Sequence, residues 1–169
     1  SEIHYHPVEE PVFNTDGTPA IDLTDDVHES IELQNTGTTA VDIGGWTISG
    51  GVDFVIPADT TIPAGGFRVA AKNPARIQSV YALAAGSVLG PVSGKLGNNG
   101  DTIRIRDAGG ATVEEVSYSA HFPWAESANA LGAQDRFTAL SSTSYNYRGR
   151  SLQRVSVTAN GNDPANWLA

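Results

Sequence analysis

ESIELQNTGTTAVDIGGWTISGGVDFVIPADTTIPAGG, residues 29–66, decides the fold class. Apolar side chains recur at every second position in Ile31/Leu33, Val41/Ile43, Trp46/Ile48 and Val52/Phe54/Ile56, with turn residues between the four runs. A pleated strand sends successive side chains to opposite faces. This period therefore gathers the apolar set on one buried face and turns Glu32, Thr47 and Asp53 to the other. Pro57 and Pro63 mark strand ends, because proline cannot donate to a ladder, and Pro63-Ala-Gly-Gly66 closes the stretch in a corner.

Outward from this stretch, the same alternation predicts strands at Glu2–His6, Phe67–Lys72, Ser87–Leu89, Thr102–Asp107, Thr112–Ser119 and Ser151–Val157. Asp107-Ala-Gly-Gly110 sits between IRIR and VEEVSY and reads as a hairpin turn, since glycine supplies the positive φ that tight turns need. Pro74–Ala85 has no alternation; Ile77, Val80, Tyr81 and Ala84 instead recur at helical spacing behind a proline suited to a helix start. The expectation is an all-β sandwich with one short helix near residues 74–85, built as a single domain over residues 1–169. Three long connections interrupt the strands, at Pro7–Val27, Gly90–Gly100 and Phe122–Arg150; the last is the longest, and loops of that length in a compact domain tend to be functional or mobile.

With 169 residues the chain can bury a core without staples, consistent with its lack of cysteine, which also removes thiol catalysis and cysteine zinc sites. Nineteen acids against ten Lys and Arg give a formal charge of −9, a field that repels phosphate backbones and anionic lipid surfaces. The cations form no stripe, so no nucleic-acid partner is expected. No apolar run spans a bilayer, and the opening SEIHYHP reads as a strand rather than a signal peptide, so no membrane insertion is expected and the chain looks mature or excised.

Three constellations are candidate sites. Glu2, His4 and His6 share the face of their strand opposite Ile3 and Tyr5, and His28 and Glu32 fall on the corresponding face of the strand that begins near residue 30. If the strands pair, these five residues could hold Zn²⁺ or a similar ion; the plainer alternative is a solvated face with Glu–His contacts. Asp16, Asp22, Asp25 and Asp26 crowd one loop with Asn14 and offer the hard oxygens calcium prefers, although Asx residues are also what ordinary turns use. Trp124, Tyr145 and Tyr147 lie in the longest connection, where aromatic faces could receive a glycan or a protein, or where Trp124 could pin the loop to the sheet.

Catalytic templates are not met. Gly90-Pro-Val-Ser-Gly94-Lys95-Leu96 is one residue short of a phosphate-binding loop and has leucine where the magnesium-binding hydroxyl belongs. Glu114 and Glu115 are neighbours on a strand and point to opposite faces, which prevents them acting as an acid/base pair.

The ordered series Ser1-Glu-Ile3, Glu29-Ser-Ile-Glu-Leu33 with Asn35, Val41-Asp-Ile43, Gly45-Trp-Thr-Ile-Ser-Gly50 and Ile62-Pro-Ala-Gly-Gly66 resembles the lamin tail domain in its bacterial and archaeal form. The series continues with Asn98-Asn-Gly-Asp101, Ile103-Arg-Ile-Arg-Asp107, Val113 to Tyr118, Ser151-Leu152, Asp163-Pro164 and Asn166-Trp167. The resemblance implies an immunoglobulin-like β-sandwich and a non-enzymatic binding or spacer module of a larger secreted or surface-attached bacterial protein, and it identifies no ligand; the partner, protein or glycan, stays open, and no cofactor is expected unless calcium or zinc binds. A calcium- or transition-metal-dependent binding domain is the alternative. No sustained heptad is present, so filament formation does not carry over. The module is expected to be a monomer, with an exposed edge, such as the first strand, open to strand addition by a partner.

Overall fold

A computed structural model describes residues 1–7, 11–21, 27–129 and 150–169. In chain order the strands are β1 (Glu2–His4), β2 (Pro11–Phe13), β3 (Pro19–Ile21), β4 (Ser30–Gln34), β5 (Val41–Asp42), β6 (Thr47–Ser49), β7 (Val52–Val55), β8 (Thr61–Ile62) and β9 (Phe67–Ala71). Helix α1 (Pro74–Tyr81) follows, then β10 (Val88–Leu89), β11 (Ser93–Gly94), β12 (Gly100–Arg106), β13 (Thr112–Ser119), β14 (Leu152–Arg154) and β15 (Trp167–Leu168).

One sheet has the order β10-β9-β4-β1-β14-β15, the other β11-β7-β6-β12-β13, and two small ribbons pair β2 with β3 and β5 with β8. The register of the larger sheet lines up Leu89, Ala70, Ile31, Ile3 and Leu152 in one row across five strands. Ile48, Val52, Ile103, Val116 and Tyr118 come from the second sheet into the same buried cluster. The fold is thus an immunoglobulin-like β-sandwich, and the alternation of residues 29–66 forms its interior. Each fully buried aliphatic side chain contributes about 1.5–3 kcal/mol relative to exposure.

Local chemistry explains where elements stop. Asn73 caps α1 by accepting from the Arg76 amide at 3.1 Å, and Ala82, at φ +51°, turns the chain left-handed so that the helix ends short of the expected residue 85. The helix is the crossover that lets β9 and β10 pair in parallel, a connection no hairpin could make. Gly50 sits at φ +134° in the β6–β7 corner, where a Cβ would collide with the Thr102 carbonyl. The expected turn at residues 107–110 is present, with Asp107 accepting from the Gly110 amide at 2.9 Å.

Three expectations change. The first strand is interior, flanked by β4 and β14, so it offers no free edge. The strand expected over Ser151–Val157 is confined to Leu152–Arg154, and β2, β3, β8, β11 and β15 were not foreseen. Among the described residues no helix is long and apolar enough to cross a membrane.

Asn35 holds one end of the sandwich together. Its side-chain amide donates to the carbonyls of Thr39 (2.7 Å), Ile62 (3.0 Å) and Pro63 (3.0 Å), and its oxygen accepts from the Gly37 amide at 2.9 Å. Asn35→Ala would strip partners from these buried or half-buried groups and is expected to lower stability by about 2–3 kcal/mol. Urea unfolding measures this as a lower midpoint with an unchanged slope, and a loss below about 0.5 kcal/mol would contradict the assignment.

Candidate functional site

The histidine and carboxylate set is brought onto paired strands, as the alternation requires: Glu2 lies opposite Glu32, and His4 opposite Ser30. The face is not uniformly solvated, however. His4 is 3% exposed and His28 4%, while Glu2, Glu32 and His6 are half-buried. The covering comes from distant chain. Arg76 on α1 donates through Nε to His28 Nε2 at 3.0 Å, and Asn129 Oδ1 meets His6 Nδ1 at 2.5 Å. Glu32 Oε1 accepts from the Ser1 hydroxyl at 2.7 Å. Among the described residues no three His, Asp or Glu side chains are grouped to hold a metal ion, so Glu2, His4, His6, His28 and Glu32 do not assemble into one ligand set. Pairing the strands was not enough, because the imidazole nitrogens are drawn towards α1 and the 129 region.

Asp16 sits in the β2–β3 turn, where its Oδ1 accepts from both the amide (2.9 Å) and the hydroxyl (2.6 Å) of Thr18. Those hydrogen bonds hold its carboxyl below the usual carboxylate range. This is the Asx-turn reading of that residue. Asp22, Asp25 and Asp26 lie outside the described residues, as do Tyr145 and Tyr147. Trp124 is 7% exposed and its ring lies 6.1 Å from that of Trp167 at 40°. Its face packs inside the molecule, which is the pinning role rather than the ligand-facing one.

The feature that sequence reasoning missed is a gap between the sheets. A cavity of about 340 Å³ is lined by Ile31 and Leu33 of β4, Ile103 and Ile105 of β12 and Val116 of β13, together with Trp46 and Trp167. It reaches the surface beside Val113 and Val157, which are 50% and 41% exposed. Its polar lining includes Ser1, Glu2, Glu32 and Asn35, and an ion pair that joins the sheets, with Arg154 Nη1 on β14 bonded at 3.0 Å to Glu114 Oε2 on β13. Arg154 Nη2 also donates to the Ala159 carbonyl at 2.6 Å, whereas its buried Nε has no acceptor among the described residues.

The strand period places both charges. Arg154 stands two residues after the fully buried Leu152, and Glu114 two before the buried Val116, so each occupies an inward-facing position. That spacing was the available signal. Glu115, on the other face of β13, pairs instead with Arg104 at 2.6 Å, as expected for neighbours on a strand.

A family model described as the Lamin Tail Domain matches residues 2–120. The chain belongs to the lamin tail domain family. No match is found among curated proteins. The lamin tail domain match stops before β14 and β15, yet both strands extend the larger sheet, and they supply Arg154 and Trp167 to the cavity wall.

Proposed function

We propose that this lamin tail domain is a non-catalytic interaction or spacer module of a larger bacterial protein that is secreted or held at the cell surface, with a protein or glycan as its partner. The observation that carries the reading is the family match over residues 2–120, because an immunoglobulin-like sandwich of this family works by presenting surfaces rather than by housing a reaction. The charge of −9 supports it in a limited way, favouring a soluble module and disfavouring nucleic acid or anionic lipid as the partner.

The test is made in the parent protein. Deleting the module is expected to leave the turnover of a small soluble substrate by any neighbouring catalytic domain unchanged, and to release the protein from the cell surface or from its polymeric target on fractionation. A parent that remains attached after the deletion would sink the reading, as would hydrolytic activity of the purified chain that disappears on substitution of a histidine. A melting temperature raised by calcium or zinc and returned by EDTA would favour the metal-dependent alternative.

A further inference from the structure

We propose that strand β13 is a surface for pairing with a second copy of this chain, and that the segment after β14, residues 155–163, is a guard that keeps the surface closed. The inference is independent of what the module binds elsewhere.

An edge strand carries unpaired amides and carbonyls that any extended backbone can match. Of the four strands that end the two sheets, β10, β15 and β11 are two residues long, whereas β13 runs for eight. Its outward row can be read from one bond. The Ser117 amide donates to Asn162 Oδ1 at 2.7 Å rather than into the ladder with β12. Antiparallel pairing alternates, so the backbone groups of Glu115, two positions earlier in an unbroken register, face outward as well. Among the described residues nothing bonds to them.

Residues 155–163 do to this edge what a further strand would do, with a side-chain carbonyl in place of a backbone one. Next to Asn162, Gly161 lies so close to β13 that a Cβ on it would come within 2.6 Å of Glu114 Oε1 and 3.2 Å of a Val116 methyl. The segment is braced from the larger sheet. Trp167 Nε1 donates to the Gly161 carbonyl at 2.9 Å, Arg154 Nη2 donates to the Ala159 carbonyl at 2.6 Å, and Asn166 Oδ1 accepts from the Ser156 amide at 2.8 Å. Among the described residues, the bond from Asn162 is the segment's one hydrogen bond to the outward backbone of β13.

The occupant follows from register. A second β13 laid antiparallel about a twofold axis at Val116 sets Glu115 opposite the other copy's Ser117. Both residues have outward backbone groups, so each such pair exchanges two hydrogen bonds, and Val116 meets its own counterpart between them. No carboxylate lies directly opposite another, since Glu114 falls opposite Tyr118. Hydrogen bonds that are self-complementary and free of like-charge contacts are what a twofold interface requires. The charge of −9 on each copy opposes the approach, and salt screens that restraint.

The test is sedimentation of the purified chain over a range of concentrations, in salt that screens the charge. Wild type is expected to stay monomeric. Asn162→Ala combined with Gly161→Val removes the acceptor of the Ser117 amide and drives the segment off Glu114 and Val116; this variant is expected to dimerise at least roughly tenfold more tightly. Adding Glu115→Pro removes an outward amide but no ladder bond with β12, and is expected to restore the monomer. Circular dichroism establishes that each variant compared is folded. Where the double variant is not, Asn162→Ala alone takes its place, and Ser117→Pro, on the same outward row, does so for Glu115→Pro. A folded guard variant no more dimeric than wild type would overturn the proposal. So would a dimer that persists with the proline in place, or a wild type already paired through β13.

Discussion

Trp167→Ala is expected to cost about 4 kcal/mol of folding stability, among the largest effects available from a single side chain outside the matched family region. Three losses combine. The indole is 4% exposed, and its removal from the core both forfeits burial and enlarges a gap that already exists between the sheets. Its Nε1 donates to the Gly161 carbonyl at 2.9 Å in a buried setting, so that oxygen loses its partner. The ring of Trp124, 6.1 Å away, loses its aromatic neighbour. For a chain of this size the melting temperature should fall by roughly 10 °C. Trp167→Phe should recover about half of the loss, since it restores most of the apolar area but not the hydrogen bond. A cost below about 1 kcal/mol for the alanine variant would mean that β15 is an ornament on a sandwich already complete at residue 120.

That outcome bears on how the fold was written in the chain. Residues 30–34 were legible because they alternate over a span long enough to show a period: SIELQ is β4, with Ile31 and Leu33 buried and its other three residues half-buried. Strands β8, β11 and β15 are two residues long, and a period of two cannot be seen in two residues. They exist because a neighbouring strand offers its ladder, which is tertiary information. The opening strand was read as a free edge for the same reason, since its partner β14 lies some 150 positions away along the sequence.

The site was less legible than the fold. Alternation placed His4 and His6 on the face opposite Ile3, but the partners that α1 gives His28 and that Asn129 gives His6 come from segments whose position no local pattern records. Aromatic residues in a loop gave no means of separating ligand from anchor, and Trp124 proved to be packed against Trp167. Arg154 and Glu114 could have been found by extending the apolar period one step beyond Leu152 and Val116, where charge occupies an inward position. The cavity itself could not, because it depends on how far apart two sheets settle.

The same interior also dictates how the protein responds to alkali. Tyr5 is fully buried and Tyr118 3% exposed, with ring centroids 4.7 Å apart. Burial raises both phenols well above the ordinary value of 10.0; for Tyr118 the nearby acids Asp101 and Glu29 add to the rise, and its bond to the Gly97 carbonyl at 3.0 Å keeps the hydroxyl a donor. A group held neutral in the folded state but free to ionise at pH 10 when unfolded contributes stability that is intact below pH 10. The contribution is lost as pH climbs towards the folded value. The loss should approach about 1.4 kcal/mol per pH unit for each ring, so roughly 5 kcal/mol disappears between pH 10 and 12 when both remain protonated in the fold.

Tyr5→Phe isolates one share of this alkaline loss. The Tyr5 hydroxyl has no partner among the described residues, so its removal at pH 7 should be neutral or stabilise by up to about 1 kcal/mol. The advantage should widen above pH 10 as the wild type loses stability twice as steeply in its tyrosine contribution. Tyr118→Phe gives the same gain at high pH but costs about 1 kcal/mol at pH 7, because the Gly97 carbonyl loses its donor. Urea midpoints from pH 7 to 11.5 measure all three curves. Parallel curves for wild type and Tyr5→Phe above pH 10 would show that Tyr5 ionises as readily in the fold as out of it, and the packing of the two rings between the sheets would have to be abandoned.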